Sequence, residues 1–295
     1  MNALHTQGKF FIVVAIASIL CSFLLPPVGL ETELLVMLVL VFFLGVPHGA
    51  LDPIFAKAIL QLRTPLAWLG FVLAYLFIAG GVVLVWKYSP LVFLILFLFI
   101  SVVHFSGDLV DGTAHIARIL YGGACIVLPA AFHAEELGSL FSLLIGESSG
   151  TLVAQSLGWV AWPWLVALVL SALLNFKNNK LASAEMMMVA ALTTVLSPLI
   201  GFTIFFCCMH SARHVVRAKN YSGALPRDLA KVVALPMLGV LVLVVVGWIF
   251  LPASKLDTRI IQIVFVGLAA LTVPHMALVE RVRWTGWKTI ASSSR

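Results

Sequence analysis

The chain has 295 residues, of which 62% are hydrophobic and only 10% are charged, and its formal net charge is +6. Soluble globular domains carry about 25% charged residues, so this composition excludes a water-soluble fold and predicts an integral membrane protein. The basic residues lie in short loops between apolar runs, where they indicate orientation in a membrane rather than a nucleic-acid partner.

Ten apolar segments follow one another along the chain, and a helix needs about 20 such residues to span a bilayer. The predicted fold is an all-α polytopic membrane helix bundle of about eight to ten transmembrane helices, with residues 133–150 as a polar loop. We expect a single integral membrane domain, 1–295, made of an N-terminal helix extension (1–33), the main bundle (34–280) and a cytoplasmic tail (281–295). The segments are 9–25, 34–50, 65–86, 90–106, 114–132, 151–174, 185–197, 199–217, 231–251 and 258–279.

The segment 185–197 is short for a full crossing and is followed by Pro198. A re-entrant or short helix pair that turns back at Pro198 places fifteen of the 18 Lys and Arg residues on one side of the membrane and three on the other. Such an excess marks the cytoplasmic side. We therefore predict this turn, and a multi-pass protein of the inner (plasma) membrane with both termini in the cytoplasm.

Five histidines share one depth in this topology, near the cytoplasmic ends of segments that run toward the cytoplasm. Two of them are four residues apart, which places both imidazoles on one face of a helix. Ionisable groups are costly inside a membrane and mark functional sites, although a single histidine near a helix end is more often only hydrogen-bonded. We interpret the group as a metal site. His115 lies at a similar depth and is a weaker candidate ligand, whereas His5 in the N-terminal tail and His133 on the opposite side of the membrane are not expected to belong to the site. The five are His48, His104, His210, His214 and His275.

Two aspartates follow histidines at helical spacing: Asp52 after His48, and Asp108 after His104. On a helix, each carboxylate can accept a hydrogen bond from the second ring nitrogen of its own histidine, which fixes the tautomer of a metal ligand. The alternative is that both aspartates cap helix ends in the headgroup region. The glycines and the proline of residues 45–49 predict a distorted helix at this place.

The available ligand types narrow the choice of metal. The four cysteines lie in apolar segments without C-x-x-C spacing and no H-E-x-x-H motif occurs, which argues against structural zinc and a zinc protease. Imidazole ligands suit iron, copper or zinc. A haem-bearing electron-transfer protein is the rival, although one haem needs only two axial histidines. A transporter whose histidines relay protons also remains open.

Aromatic residues cluster on the histidine-bearing segments, and together they suit a long apolar tunnel, with simple packing as the alternative for each one. Arg213 lies between His210 and His214, and we expect it to extend to solvent at the membrane boundary; pairing with Asp52 or Asp108 is the alternative. The aromatic residues are Phe42, Phe43, Phe93, Phe97, Phe99, Phe105, Phe202, Phe205 and Phe206.

Four short segments, in order between about Leu44 and Glu280, resemble the Brp/Blh family. Its members are bacterial and archaeal membrane β-carotene 15,15′-dioxygenases that supply retinal for microbial rhodopsins. The first and third segments are the specific ones. The segments are Gly45-Val-Pro-His-Gly-Ala-Leu-Asp52, His104-Phe-Ser-Gly-Asp108, His210-Ser-Ala-Arg-His214 and Pro274-His-Met-Ala-Leu-Val-Glu280.

The resemblance implies a non-haem Fe(2+) centre in a catalytic bundle, 34–280, that cleaves the central double bond of β-carotene with O2 into two all-trans-retinal. The implied partners are β-carotene, O2, membrane lipid and a microbial rhodopsin that accepts retinal. A related membrane oxygenase acting on another carotenoid or lipid is the alternative. His275 matches the fourth segment and is expected to support the ligands or to replace one. The implied ligands are His48, His104, His210 and His214.

Overall fold

The computed structural model describes residues 3–109, 112–251 and 255–284, so that 285–295 of the expected tail lie outside the described residues. Within these residues the chain forms helices only, which confirms the predicted all-α class. In chain order they are α1 (Ala3–Leu24), α2 (Leu30–Leu60), α3 (Pro65–Tyr88), α4 (Pro90–Phe105), α5 (His115–Val127), α6 (Pro129–Phe132), α7 (Ala134–Ile145), α8 (Glu147–Asn175), α9 (Lys180–Val195), α10 (Pro198–Ser222), α11 (Pro226–Phe250) and α12 (Leu256–Arg283).

Seven of these helices are long and apolar enough to cross a bilayer: α1, α2, α3, α8, α10, α11 and α12. The helices α4 and α5 are apolar but shorter. Backbone N–H and C=O groups find no water in the hydrocarbon core, and a helix satisfies them within the segment itself. The described chain is thus a polytopic membrane helix bundle, as the composition predicts.

Two predicted boundaries are wrong. The stretch 133–150, predicted as a polar loop, forms α7, because apolar residues such as Leu137 and Phe141 recur at helical spacing and are buried. This helix packs along α8. The segment 114–132, predicted as one helix, divides into α5 and α6, since Pro129 begins a new helix.

A break of two residues separates α9 from α10. Ser197 caps α10, and its Oγ accepts a hydrogen bond from the backbone N–H of Ile200 at 3.4 Å. Glu185 of α9 and Arg213 of α10 form an ion pair across this break. One continuous helix would hold these two residues about 42 Å apart, so α9 and α10 must run antiparallel beside each other. The predicted turn at Pro198 is confirmed.

Both α2 and α10 leave α-helical geometry near the cluster, at His48 and at His210. In α2, the π-helical segment Val41–Gly45 is followed by the 3-10 segment Val46–Leu51, which contains His48. In α10, the π-helical segment Phe205–Ser211 contains His210. Such segments have more or fewer residues per turn than an α-helix and rotate the side chains that follow around the helix axis. The distortion predicted around His48 is confirmed, and the two π-helical segments contact each other.

The contact between α4 and α5 generates a stability prediction. A Cβ atom on Gly122 would collide with backbone atoms of Val102 and Ser106. Gly122→Ala therefore forces the two helices apart, and we expect the free energy of unfolding to fall by about 1–3 kcal/mol. Denaturation of the detergent-solubilised protein measures the change.

Gly70→Ala is the matched control, because a Cβ at Gly70 meets no atom within 4 Å. Both substitutions replace a helical glycine with the better helix former, so their difference isolates the collision. Equal stability of the two variants would contradict the close approach of α4 and α5.

Candidate metal centre

Five buried histidines meet between α2, α4, α10 and α12. The shortest distances between ring centroids are 4.6 Å for His104 and His210, and 4.9 Å for His48 and His210. The ring of His275 lies 5.0 Å from that of His214, 5.1 Å from that of His48 and 5.2 Å from that of His104. Each of the five residues is at most 6% exposed. The structure thus brings together the five histidines that the sequence places at one depth.

The two aspartates contact histidines of other helices than the sequence suggests. Asp52 Oδ1 lies 2.6 Å from His275 Nδ1, and Asp108 Oδ2 lies 3.0 Å from His210 Nδ1. The predicted pairing of each aspartate with the histidine four residues before it is wrong, because both carboxylates lie at distorted or terminal turns and point across the bundle. The hydrogen bonds therefore join α2 to α12, and the turn that follows α4 to α10.

His48 also forms hydrogen bonds through its Nδ1 atom, but its partners are not carboxylates. Its Nδ1 donates a hydrogen bond to the carbonyl of Gly45 at 2.6 Å and lies 3.0 Å from Ser211 Oγ. Ser211 Oγ also donates to that same carbonyl, at 3.2 Å. Because a carbonyl accepts only, the proton of the His48 ring is on Nδ1, and Nε2 presents its lone pair. Ser211 lies inside the segment His210-Ser-Ala-Arg-His214, but nothing in the sequence assigns it a role, which only the contact between α2 and α10 shows.

The inner nitrogen atoms suit a metal ion. Nε2 of His210 and Nε2 of His275 are buried and have no hydrogen-bond partner among the residues that the structure describes. The candidate ligand atoms of His48, His104 and His275 lie within 4.8 Å of one another. A histidine whose Nδ1–H binds a carboxylate or carbonyl while Nε2 faces a shared centre is the usual form of a metal-ligating histidine. The arrangement can hold one ion with imidazole nitrogen atoms.

Sequence reasoning did not identify Tyr75. Its hydroxyl group lies 3.0 Å from Asp52 Oδ2 and 3.2 Å from the carbonyl oxygen of Leu271, and it donates its one proton to the carboxylate, which is the nearer and stronger acceptor. Tyr75 therefore supports the carboxylate that binds His275. A tyrosine in an apolar helix gives no signal in the sequence, because the same residue is common at membrane boundaries.

Arg213 corrects a further expectation. It is fully buried rather than extended into solvent, and it pairs with Glu185 of α9 rather than with Asp52. Its Nη1 donates to the backbone carbonyl of Asp108 at 2.9 Å. Glu185 did have a signal, since an acidic residue in an apolar segment requires a partner inside the membrane.

The other candidates lie apart from the centre. His133 Nε2 contacts the carbonyl of Thr194 at 3.2 Å, and its Nδ1 lies 3.7 Å from Glu136. His5 is exposed on α1, and His115 is exposed at the beginning of α5. His5 and His133 thus lie outside the cluster, and the structure does not bring the reserve candidate His115 into it either.

An apolar cavity of about 940 Å³ lies beside the histidines, between α2, α3, α4, α10, α11 and α12. His48, His104 and His275 form part of its wall. The wall is incomplete at α11, where Leu235 and Leu238 line the cavity yet are 76% and 55% exposed. Of the nine aromatic residues considered for a tunnel, those that line this cavity are Phe97, Phe105, Phe202 and Phe206.

The comparison with known families agrees with this geometry. The model of the beta-carotene 15,15′-dioxygenase family matches residues 39–283. The chain belongs to this family. The match includes all five histidines of the cluster and both aspartates that contact them. Together with the seven long apolar helices, it makes the chain a multi-pass membrane protein.

Two curated relatives are similar over most of their length. The chain is 31% identical over 256 residues to the beta-carotene 15,15′-dioxygenase of uncultured marine bacterium 66A03, which covers 82% of this chain and 91% of the relative. It is 26% identical over 277 residues to the probable beta-carotene 15,15′-dioxygenase Blh of Halobacterium salinarum, with 80% of each chain covered. No solved structure matches the chain significantly.

The hydrogen bond from Tyr75 to Asp52 generates the next prediction. Tyr75→Phe removes this bond and leaves a buried carboxylate with one partner fewer, so we expect the free energy of unfolding to fall by about 1–3 kcal/mol. Tyr88→Phe is the control, because Tyr88 is 74% exposed at the end of the same helix. Denaturation midpoints measured in one detergent compare the two variants. If they match, Tyr75 does not support Asp52.

Proposed function

We propose that this protein cleaves the central 15,15′ double bond of β-carotene with O2 and releases two molecules of all-trans-retinal. The observation that carries the proposal is the cluster of inward-facing histidine nitrogen atoms in the wall of an apolar cavity. The family and the names of both curated relatives supply the substrate class. One O2 added across one C=C bond accounts for both aldehydes.

The proposed cofactor is a non-haem Fe(2+) ion bound by His48, His104, His210 and His214. We further propose His275 as a ligand or a close support, because its Nδ1 binds a carboxylate in the way that Nδ1 of His210 does. An all-imidazole set suits iron, copper or zinc, and a dioxygenase family favours iron among these. The crowded rings argue against haem, whose macrocycle needs the space that further histidines occupy here.

An iron ion held by these neutral imidazoles would supply the binding and activation of O2. The chain itself fixes the ligands, since Asp52 and Asp108 hold the Nδ1–H of two histidines and so present Nε2 to the centre. Tyr75 donates to Asp52 and keeps that carboxylate in place. The apolar wall excludes water from the reacting double bond and holds the polyene along the cavity.

The double bonds of a carotenoid are chemically similar, so the choice of the central one must come from position. The cavity supports this proposal because the histidines form one part of its wall, while mostly apolar residues of the same and neighbouring helices form the rest. A substrate insoluble in water is expected to enter from the bilayer, and the incomplete wall at α11 offers that route.

We propose one integral membrane domain in the inner (plasma) membrane, with both termini in the cytoplasm. Fourteen basic residues remain on the proposed cytoplasmic side when the buried Arg213 is removed from the fifteen, against three on the other side. Membrane lipid supplies the substrate, and a microbial rhodopsin is the proposed acceptor of the retinal. We propose no nucleic-acid partner for this protein.

The direct test is expression of the full chain in a bacterium that produces β-carotene. We expect loss of the orange colour and the appearance of retinal. Alanine at His48, His104, His210 or His214 removes one inward nitrogen, and each variant should lose both cleavage and bound iron, measured by chromatography and elemental analysis of purified protein. His275→Ala should reduce both.

His133→Ala is the matched control, because His133 lies outside the cluster and should keep wild-type activity. Full activity of any of the four alanine variants removes that residue from the ligand set. Apocarotenals other than retinal would favour a related oxygenase on another carotenoid or lipid. A Soret band with stoichiometric haem would favour electron transfer, and dependence on an ion gradient would favour transport.

The cavity generates a separate prediction. Gly239 lines it, and a Cβ at Gly239 meets no atom within 4 Å, so Gly239→Phe fills the cavity without a collision in the helix. We expect cleavage to fall at least about tenfold while iron content is retained, since the ring occupies the space of the polyene. Gly70→Phe is the control, because Gly70 also has open space but does not line the cavity. Unchanged cleavage by the Gly239→Phe variant would show that the substrate does not bind in this cavity.

A further inference from the structure

Helix α1 reaches the interior beside the metal centre, although it lies outside residues 39–283 that the family model matches. The contact is made by Gln7, which is 8% exposed. Arg213 donates from Nε to Gln7 Oε1 at 2.8 Å. The same guanidinium donates to Glu185 Oε2 at 3.0 Å and to the carbonyl of Asp108 at 2.9 Å. Gln7 thus completes the set of acceptors around a buried cation.

The amide nitrogen of Gln7 makes a second contact, with the π-helical segment Phe205–Ser211. Gln7 Nε2 donates to the carbonyl of Cys208 at 2.9 Å and reaches the carbonyl of Met209 at 3.4 Å. A π-helical turn interrupts the regular hydrogen-bond ladder, and its carbonyl groups accept bonds from other groups. One side chain of α1 therefore binds both the buried arginine and the segment that carries His210.

A glycine permits this close approach of α1. A Cβ on Gly8 would collide with Glu185 Oε1 and would lie 3.0 Å from Arg213 Nη2. Only a residue without a side chain lets the backbone of α1 rest on the ion pair. The adjacent residues Gln7 and Gly8 thus both take part in the contact between α1 and the ion pair of Glu185 and Arg213.

The path from Gln7 to the metal centre is short. The backbone carbonyl of Asp108 accepts from Arg213, and the side chain of Asp108 binds His210 Nδ1 at 3.0 Å. His210 lies three residues before Arg213 on α10. Arg217 Nη2 also donates to the carbonyl of Asp108, at 3.0 Å, so that two arginines of α10 hold the backbone that carries this carboxylate. The guanidinium of Arg213 therefore contacts the residue that orients the His210 ring and belongs to the helix that carries this ring.

We propose that Gln7 is a positioning residue of the metal centre, which orients His210 through Arg213, Asp108 and the segment Phe205–Ser211. The inference rests on the proposed metal centre. It assigns to α1 a role in ligand geometry, in addition to any role of the helix in the membrane.

The test uses the full chain in detergent, freed of metal and titrated with Co²⁺, whose visible absorption reports ligand geometry. Gln7→Met keeps the length and flexibility of the side chain but removes its hydrogen-bonding groups. We expect Co²⁺ to bind about 10–100-fold more weakly, with a changed absorption spectrum, as for loss of other groups that orient metal ligands. Thr6→Leu, at an exposed position of the same helix, should leave both readouts unchanged.

If Gln7→Met fails to fold, Gln7→Glu replaces it. The carboxylate keeps the acceptor for Arg213 but repels the carbonyl oxygens of the π-helical segment, so the same direction of change is expected. Wild-type affinity and an unchanged spectrum in the tested Gln7 variant would overturn the inference and leave the proposed function intact. A wild-type protein that binds no Co²⁺ would overturn the proposed metal centre, and the inference with it.

Discussion

The structure depends on one constraint: a polar group in the hydrocarbon core must find its partner inside the protein. The buried ion pair between Glu185 and Arg213 shows how far this extends. Removal of one member of such a pair leaves an uncompensated charge, which costs about 3–5 kcal/mol. The hydrogen bonds that satisfy the pair continue to Asp108 and His210, so the polar interior forms one connected network. The same hydrogen bonds therefore satisfy the buried charges and orient the histidines.

Much of the architecture could be predicted because a membrane leaves few choices. Apolar runs of sufficient length form helices, and Pro198 together with the basic residues indicates where the chain turns back. The depth of the histidines follows from the same topology, which is why five residues distant in sequence could be grouped before their contacts were known. The prediction was wrong at α7, where Glu135 and Glu136 of the first turn suggest a polar loop although Leu137 and Phe141 recur at helical spacing.

The partners inside the site could not be predicted in the same way. Spacing of four residues implies contact only on a regular α-helix, whereas His48 lies in a 3-10 segment after a π-helical one. Asp52 consequently binds His275 instead. Arg213 shows a second limit, because the position of a residue at the end of an apolar run does not reveal which face of the helix it occupies. The roles of Tyr75 and Ser211 become visible only when the helices are packed together.

The incomplete wall at α11 supports the proposed entry of the substrate from the bilayer, and this route has a kinetic consequence. Leu229 is the one residue of α11 that is buried, so this helix covers the cavity from one side and leaves Leu235 and Leu238 uncovered. A hydrophobic molecule that passes beside α11 never crosses an aqueous layer. Its occupancy then depends on its mole fraction among the lipids rather than on its amount per volume of buffer. Inert lipid therefore acts as a diluent, and the composition of the membrane becomes a variable of the kinetics.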